Sequence, residues 1–244
     1  MDKEIVLITG GSRGIGEAIV RRVARSGRIV LFTYHTAKDA AEKISAALTT
    51  AGCENHIYQL DVGNPHDVER VVTVIGETFG DIDILVNNAG IIRDNPLYMI
   101  SDEEWHDVIN TNLSGVFYMC RAVSKYMIRR RRGKIITISS VTASKGARGQ
   151  ANYAAAKGGV ESLSRSLAIE LSPKNITVNC VSPGVIETEM TETIRHAYHD
   201  IILSKICMKR IGKPEEVAGV VNFLMSDEAS YINGQVIHVD GGML

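Results

Sequence analysis

What this sequence has little of narrows its function first. Its four cysteines, Cys53, Cys120, Cys180 and Cys207, are scattered, with no C-x-x-C spacing and no histidine pattern beside them. That argues against a metal centre and against a disulfide framework, so no metal is expected. No apolar run approaches the ~18 residues of a membrane span. Met1-Asp2-Lys3-Glu4 leads directly into a strand rather than a signal peptide. A soluble, cytoplasmic chain with no membrane partner is expected. Neither sign of charge is in excess: the formal net charge is -1, which gives no general electrostatic reason to bind nucleic acid.

What is present suffices for a full core. Apolar residues make up 45% of the 244 positions, and a doubly wound sheet commonly fills this length as one domain, here 1–244. Strand and helix patterns alternate along the chain. Apolar runs at 4–9, 29–34, 56–61, 84–86, 134–139, 176–181 and 235–239 read as seven strands. Helical spacing over 15–26, 37–51 and 152–171 falls between them. Asn64-Pro65 reads as a cap followed by proline at a first helical position. Ser101 and Glu104 form a capping box that opens a long helix towards Arg129-Arg130-Arg131-Arg132, whose charges suit a helix C-terminus. Lys213-Pro214 opens the last helix, after a polar region at 187–212 that reads as a mobile, helical lid. Such alternation implies an α/β fold, a Rossmann-like doubly wound parallel sheet of seven strands flanked by helices.

Three stretches carry chemistry. Thr9-Gly10-Gly11-Ser12-Arg13-Gly14-Ile15-Gly16 lies between the first strand and the first helix. Its glycines allow a tight turn and close approach of backbone to a pyrophosphate at a helix N-terminus. The second strand ends in Tyr34-His35-Thr36, where an NAD site would place an acid for the ribose. With Arg13 in the turn and Lys38 nearby instead, a 2'-phosphate meets positive charge, so NADPH/NADP is favoured. Asn87-Asn88-Ala89-Gly90 closes the fourth strand with small residues and amides that suit the edge of a nucleotide site.

Tyr153 and Lys157 stand at i and i+4 of one helix, so the ammonium lies beside the phenol. By itself such a pair is as well explained by an apolar contact next to a solvated charge. As a catalytic pair, one cation ~5 Å away lowers the tyrosine's pKa by about two units, which makes it a general acid near neutral pH. Ser140 ends the fifth strand, where parallel sheets place ligands.

Thr9-Gly10-x-x-x-Gly14-x-Gly16, Asp61-Val62, Asn87-Asn88-Ala89-Gly90, Asn112, Ser140, Tyr153-x-x-x-Lys157 and Pro183-Gly184 together resemble the short-chain dehydrogenase/reductase family. The resemblance spans essentially the whole chain. Gln150-Ala-Asn-Tyr153, Asn175-Ile-Thr-Val-Asn179 and Val239-Asp-Gly-Gly-Met243 are most similar to its bacterial 3-oxoacyl-acyl-carrier-protein reductase branch. The resemblance implies that Tyr153 protonates the substrate oxygen and that Ser140 hydrogen-bonds it. Lys157 would lower the Tyr153 pKa and bind the nicotinamide ribose, and Asn112 would hold a water that passes protons to Lys157.

It further implies Asp61 and Val62 beside the adenine, Asn88, Ala89 and Gly90 supporting the cofactor, and Pro183, Gly184, Ile186 and Thr188 along its nicotinamide end. Ser12, Arg13, Ile15 and the glycines Gly10, Gly14 and Gly16 would hold the phosphates. Arg131 and Lys174 would receive an acidic acyl carrier protein at the site mouth, and the assembly would be a homotetramer. The implied reaction is NADPH-dependent reduction of 3-oxoacyl thioesters, on acyl carrier protein or coenzyme A, in fatty acid or related biosynthesis. Another ketone or alcohol, or a polyketide intermediate, would use the same machinery, and a nucleotide-sensing module would keep the fold without turnover. Residues 205–212 depart from the pattern: Ile206-Cys207-Met208-Lys209-Arg210 stands where many relatives have Ile-Pro-Leu-Gly-Arg. That change is expected to alter the lid's backbone and its substrate range. Met190, Ile194, Tyr198 and Met208 are candidates to line an acyl pocket there.

Overall fold

Apolar on both faces, the first strand requires cover on both sides. In the computed structural model of the chain, which describes residues 3–25 and 27–243, β1 (Glu4–Ile8) sends Val6 and Ile8 into one apolar cluster and Ile5 and Leu7 into another. The chain continues through α1 (Gly14–Val23), β2 (Arg28–Tyr34), α2 (Lys38–Thr50), β3 (Glu54–Gln59), α3 (Pro65–Phe79), β4 (Ile84–Asn87) and α4 (Asp102–Ile109). It then forms α5 (Gly115–Arg130), β5 (Gly133–Ile138), α6 (Thr142–Lys145), α7 (Ala151–Leu171) and β6 (Ile176–Pro183). Two short helices, α8 (Glu192–Ala197) and α9 (His199–Ser204), precede α10 (Pro214–Leu224) and β7 (Val236–Val239).

All seven strands lie in one sheet of order β3-β2-β1-β4-β5-β6-β7, and every neighbouring pair is parallel. One face carries α1, α2 and α10 on Val6, Val30, Phe32 and Val86. The other carries α3, α5 and α7 on Leu7, Leu31, Leu85 and Ile135. Because the strands are parallel, the turns after β1, β4, β5 and β6 leave the sheet at one edge. That edge splits at β1, whose neighbours β2 and β4 are wound to opposite sides, the position where such sheets take ligands.

The caps read from the sequence form. Asn64 Oδ1 accepts from the amides of His66 (3.0 Å) and Asp67 (3.3 Å) at the head of α3. Ser101 and Glu104 exchange both bonds of a capping box, at 3.1 and 2.9 Å. Other expectations need correcting. The long helix after Ser101 is interrupted by a π-helical turn, Asn110–Ser114, between α4 and α5. β6 runs through Pro183, so the turn begins at Gly184. The first helix ends at Val23, and Ser26, its expected last residue, lies outside the described residues. Among the described residues no helix is long and apolar enough to cross a membrane.

Candidate active site

The glycine turn is shaped by what its neighbours leave no room for. Gly10 and Gly14 hold φ of +66° and +55°, a left-handed backbone that disfavours other residues. A Cβ on Gly16 would stand 2.0 Å from the Gly10 carbonyl oxygen and 2.5 Å from Asn88 Nδ2. Asn88 explains that crowding: its Nδ2 donates to the carbonyls of Thr9 (3.1 Å) and Gly10 (2.9 Å), tying the turn after β4 to the turn after β1. Thr9 Oγ1 returns the link by accepting from the amides of Asn88 (3.0 Å) and Ala89 (3.1 Å). Arg13 begins α1 without a side-chain cap, so the helix's first amides are left for an anion. A Cβ on Gly14 would meet Thr188 Cγ2 at 3.3 Å, which puts Thr188 across the turn. These features fit a dinucleotide pyrophosphate. Arg13 and Lys38 are exposed, paired with Glu189 (3.3 Å) and Glu42 (3.6 Å), and such surface pairs exchange readily for a phosphate.

Ser140, Tyr153 and Lys157 converge beyond β5. Lys157 is buried, and its Nζ donates to the Ile138 carbonyl (2.8 Å) and lies 5.6 Å from the centre of the Tyr153 ring. Ser140 Oγ accepts from the Thr142 amide (3.2 Å), which leaves the serine's own hydrogen free to donate. Asn112 lies in the π-helical turn, fully buried. Its Oδ1 accepts from the Ile91 amide (2.9 Å) and its Nδ2 donates to the Ile91 carbonyl (2.8 Å). The carboxamide thus fixes the turn after β4. A Cβ on Gly90 would stand 2.9 Å from Asn112 Oδ1 and 3.7 Å from Lys157 Nζ, so Gly90 keeps the space between them open.

The expected fall in the Tyr153 pKa does not occur. Burial pushes the phenol up to about 12, a rise that the Ser140 hydrogen bond offsets only in part and that the Asp94 carboxylate reinforces. Burial also brings Lys157 down to about 8, with a small opposing pull from Cys180. Counting the cation alone misses the desolvation of the phenol. The result at neutral pH is a protonated phenol beside a charged lysine.

Other expected residues are placed less directly. Asp61 Oδ1 accepts from the Gly63 amide (2.9 Å), forming a tight turn after β3, and Val62 is buried against Gly115. Ile186 is buried in the core beside α10 and bridges to Gly212. Pro183 O accepts from the Val141 amide (3.0 Å), and Gly184 packs on Asp240. Arg131 and Lys174 come together, because an Arg131 Nη2 donates to the Pro173 carbonyl (2.8 Å). They precede β5 and β6, however, and so lie at the N-terminal edge of the sheet, opposite the cleft. They do not rim this chain's own site. Thr142 is a part of the site that the sequence motifs do not name. Thr142 stands two residues after Ser140, the spacing of a serine turn, which is the signal that marks it.

A family model described as Enoyl-(Acyl carrier protein) reductase matches residues 10–244. The chain is 48% identical over 240 residues to the 3-oxoacyl-[acyl-carrier-protein] reductase FabG of Escherichia coli (strain K12), covering 98% of this chain and 97% of that protein. It is 43% identical over 243 residues to the FabG of Vibrio cholerae serotype O1, covering 100% and 98% respectively. Among solved structures, the crystal structure of gox2181 matches with a TM-score of 0.95 at 34% identity, covering 99% of this chain and 96% of that one.

Proposed function

Since the chain belongs to the short-chain dehydrogenase/reductase family and is an oxidoreductase acting on a carbonyl, we propose that it reduces 3-oxoacyl thioesters of acyl carrier protein to 3-hydroxyacyl thioesters with NADPH. One observation carries this reading: the buried Lys157 ammonium lies 5.6 Å from the centre of the Tyr153 ring, and the Ser140 hydroxyl, at the end of β5, keeps its own hydrogen free to donate. A tyrosine so placed can give a proton to a carbonyl oxygen in reduction, and the same group takes it back in the reverse direction.

The nucleotide, when bound, supplies hydride to the carbonyl carbon. Gly10, Ser12, Gly14, Ile15 and Gly16 hold its phosphates, Arg13 its 2'-phosphate, and Asp61, Val62, Asn88, Ala89 and Gly90 its adenosine side. Pro183, Gly184, Ile186 and Thr188 bound its other end. Ser140 donates to the substrate oxygen and stabilises the charge that develops there, and Tyr153 protonates that oxygen. Lys157 keeps the pocket cationic and binds the ribose, and Asn112 steadies the turn beside it. Residues 187–212 act as a lid, and the protein works in the cytoplasm as a homotetramer.

With Arg131 and Lys174 at the edge opposite this chain's own cleft, an acyl carrier protein held by them would serve the cleft of another subunit; in a second reading the thioester is carried by coenzyme A. Oxidation of NADPH with acetoacetyl-acyl carrier protein, beside acetoacetyl-coenzyme A and with NADH as control, tests both. Faster turnover with NADPH and the carrier substrate is expected. No turnover of either thioester, with NADPH still binding, would move the substrate elsewhere. Tyr153→Phe is expected to bind NADPH normally and to lose most reduction, by roughly 10²–10⁴-fold; full activity in that variant would remove the proposed acid.

A further inference from the structure

The side chain of Gln150 is not where a helix-capping residue would put it. Gln150 occupies the N-cap position of α7, three residues before Tyr153, yet its side chain caps nothing. Instead its Nε2 donates to Asp94 Oδ2 (2.8 Å), and its Oε1 accepts from Thr142 Oγ1 (3.3 Å). Thr142 in turn gives its amide to Ser140 Oγ (3.2 Å). One carboxamide therefore joins the loop after β4 to the loop after β5, and the chain of bonds ends on the serine that faces the substrate oxygen. The same two loops meet at neighbouring points: the Asn95 amide donates to the Gly149 carbonyl (2.9 Å), and Asn152 Nδ2 to the Arg93 carbonyl (3.0 Å). Both of those links end on backbone carbonyls. Gln150 alone among them reaches both a charged group and the Ser140 turn.

We infer that Gln150 is a positioning residue for the reduction, bridging the Asp94 carboxylate and the Thr142 hydroxyl so that the loops after β4 and β5 hold Ser140 and Tyr153 in one fixed arrangement. A glutamine suits this task because it is donor and acceptor at once. The bridge also keeps a negative charge on the tyrosine's side of the cleft. The charged groups around Tyr153 are Asp94 from the loop after β4 and Lys157 from α7 itself. Of the other cations on the flanking loops, Arg93 pairs with Asp107 (3.7 Å) and Lys145 with Asp240 (3.8 Å), and Arg148 is exposed. Asp94 thus adds to the opposition that burial sets against ionisation of the phenol.

This inference rests on the reductase reading, and two variants with two readouts separate them. Gln150→Ala removes the bridge; kcat is expected to fall roughly ten- to a hundredfold, while the Kd for NADPH and the Tm stay at wild-type values. Asp94→Asn keeps an acceptor for Gln150 and removes only the charge. It is expected to retain kcat at pH 7 while the Tyr153 phenol titrates at lower pH, so that reduction fails earlier on the alkaline side. That titration is read without substrate, from the ¹⁹F resonance of fluorotyrosine at position 153, assigned by its loss in Tyr153→Phe. A wild-type protein that reduces no carbonyl would remove the reductase reading, and the ¹⁹F titration would still decide on Asp94. An unchanged kcat in Gln150→Ala, a loss of Tm and NADPH binding along with kcat, or a phenol titration that Asp94→Asn does not move would overturn the inference.

Discussion

Burial moves Tyr153 and Lys157 in opposite directions, and both movements suit a proton donor. The phenol, desolvated, rises to about 12 and holds its proton; the ammonium, desolvated, drops to about 8 and still carries most of its charge at neutral pH. Lys157 has a consequence for stability. Between pH 8 and 10.5 the unfolded chain binds a proton that the folded lysine has released, so this group's contribution to stability rises with pH, by about 3 kcal/mol across the window. Below pH 8 its full cost is present. The difference in unfolding free energy, wild type minus Lys157→Met, is therefore expected to grow by about that amount between those pH values in urea titrations. A difference that does not vary with pH would mean that the ammonium is not desolvated. The approach of Tyr153, Lys157 and Ser140 is legible in the sequence, since helical spacing and a strand end place them, while their roles are implied only by the resemblance. Their electrostatics are not legible, because the burial and the Asp94 charge come from segments far away in the chain.

Lys209 holds a conformation that its side chain opposes. Its φ is +53°, at the position where many relatives have glycine. In this chain a lysine thus occupies a left-handed turn of the kind that glycine favours. That conformation costs an L-residue roughly 1–2 kcal/mol, of which the greater freedom of unfolded glycine returns about 0.5–1 kcal/mol. Lys209→Gly is expected to raise Tm by a few degrees in calorimetry. An unchanged or lower Tm would show that the bond from Lys209 Nζ to the Ser204 carbonyl (3.2 Å) outweighs the strain. Elements set by local chemistry were readable in advance, as Asn64-Pro65 and the Ser101–Glu104 box illustrate. The π-helical turn at Asn110–Ser114 was not, since helical periodicity runs through it and its anchor, Ile91, belongs to a distant loop.

At the scale of the molecule, the parallel sheet separates two kinds of charge. The cleft lies at the C-terminal edge; Arg131 and Lys174 lie at the other, a strand length of ~20 Å away for a six-residue β5. Three arginines of the same run are engaged by acids: Arg129 by Asp81 (3.0 Å), Arg130 by Asp81 and Asp83 (both 3.5 Å), and Arg132 by Glu4 (3.9 Å). Arg131 bonds a carbonyl instead, so its charge is not neutralised by that contact. Reversal of both charges, Arg131→Glu with Lys174→Glu, is expected to leave NADPH binding and the reduction of a small ketone unchanged. It should raise KM for a carrier-linked thioester roughly tenfold at low salt and less at high salt. An equal rise for the small ketone would place these residues in the cleft's own chemistry.

The strand order has a further consequence for how the protein is made. Five strands, in the order β3-β2-β1-β4-β5, precede residue 139, and β6 and β7 then add outward in the order of translation. A nascent chain can therefore build its sheet as it leaves the ribosome, without reopening a pair already formed. Until residues 176–183 emerge, the apolar edge of β5 has no partner, which makes that interval the one in which stalled or truncated chains are most exposed to aggregation.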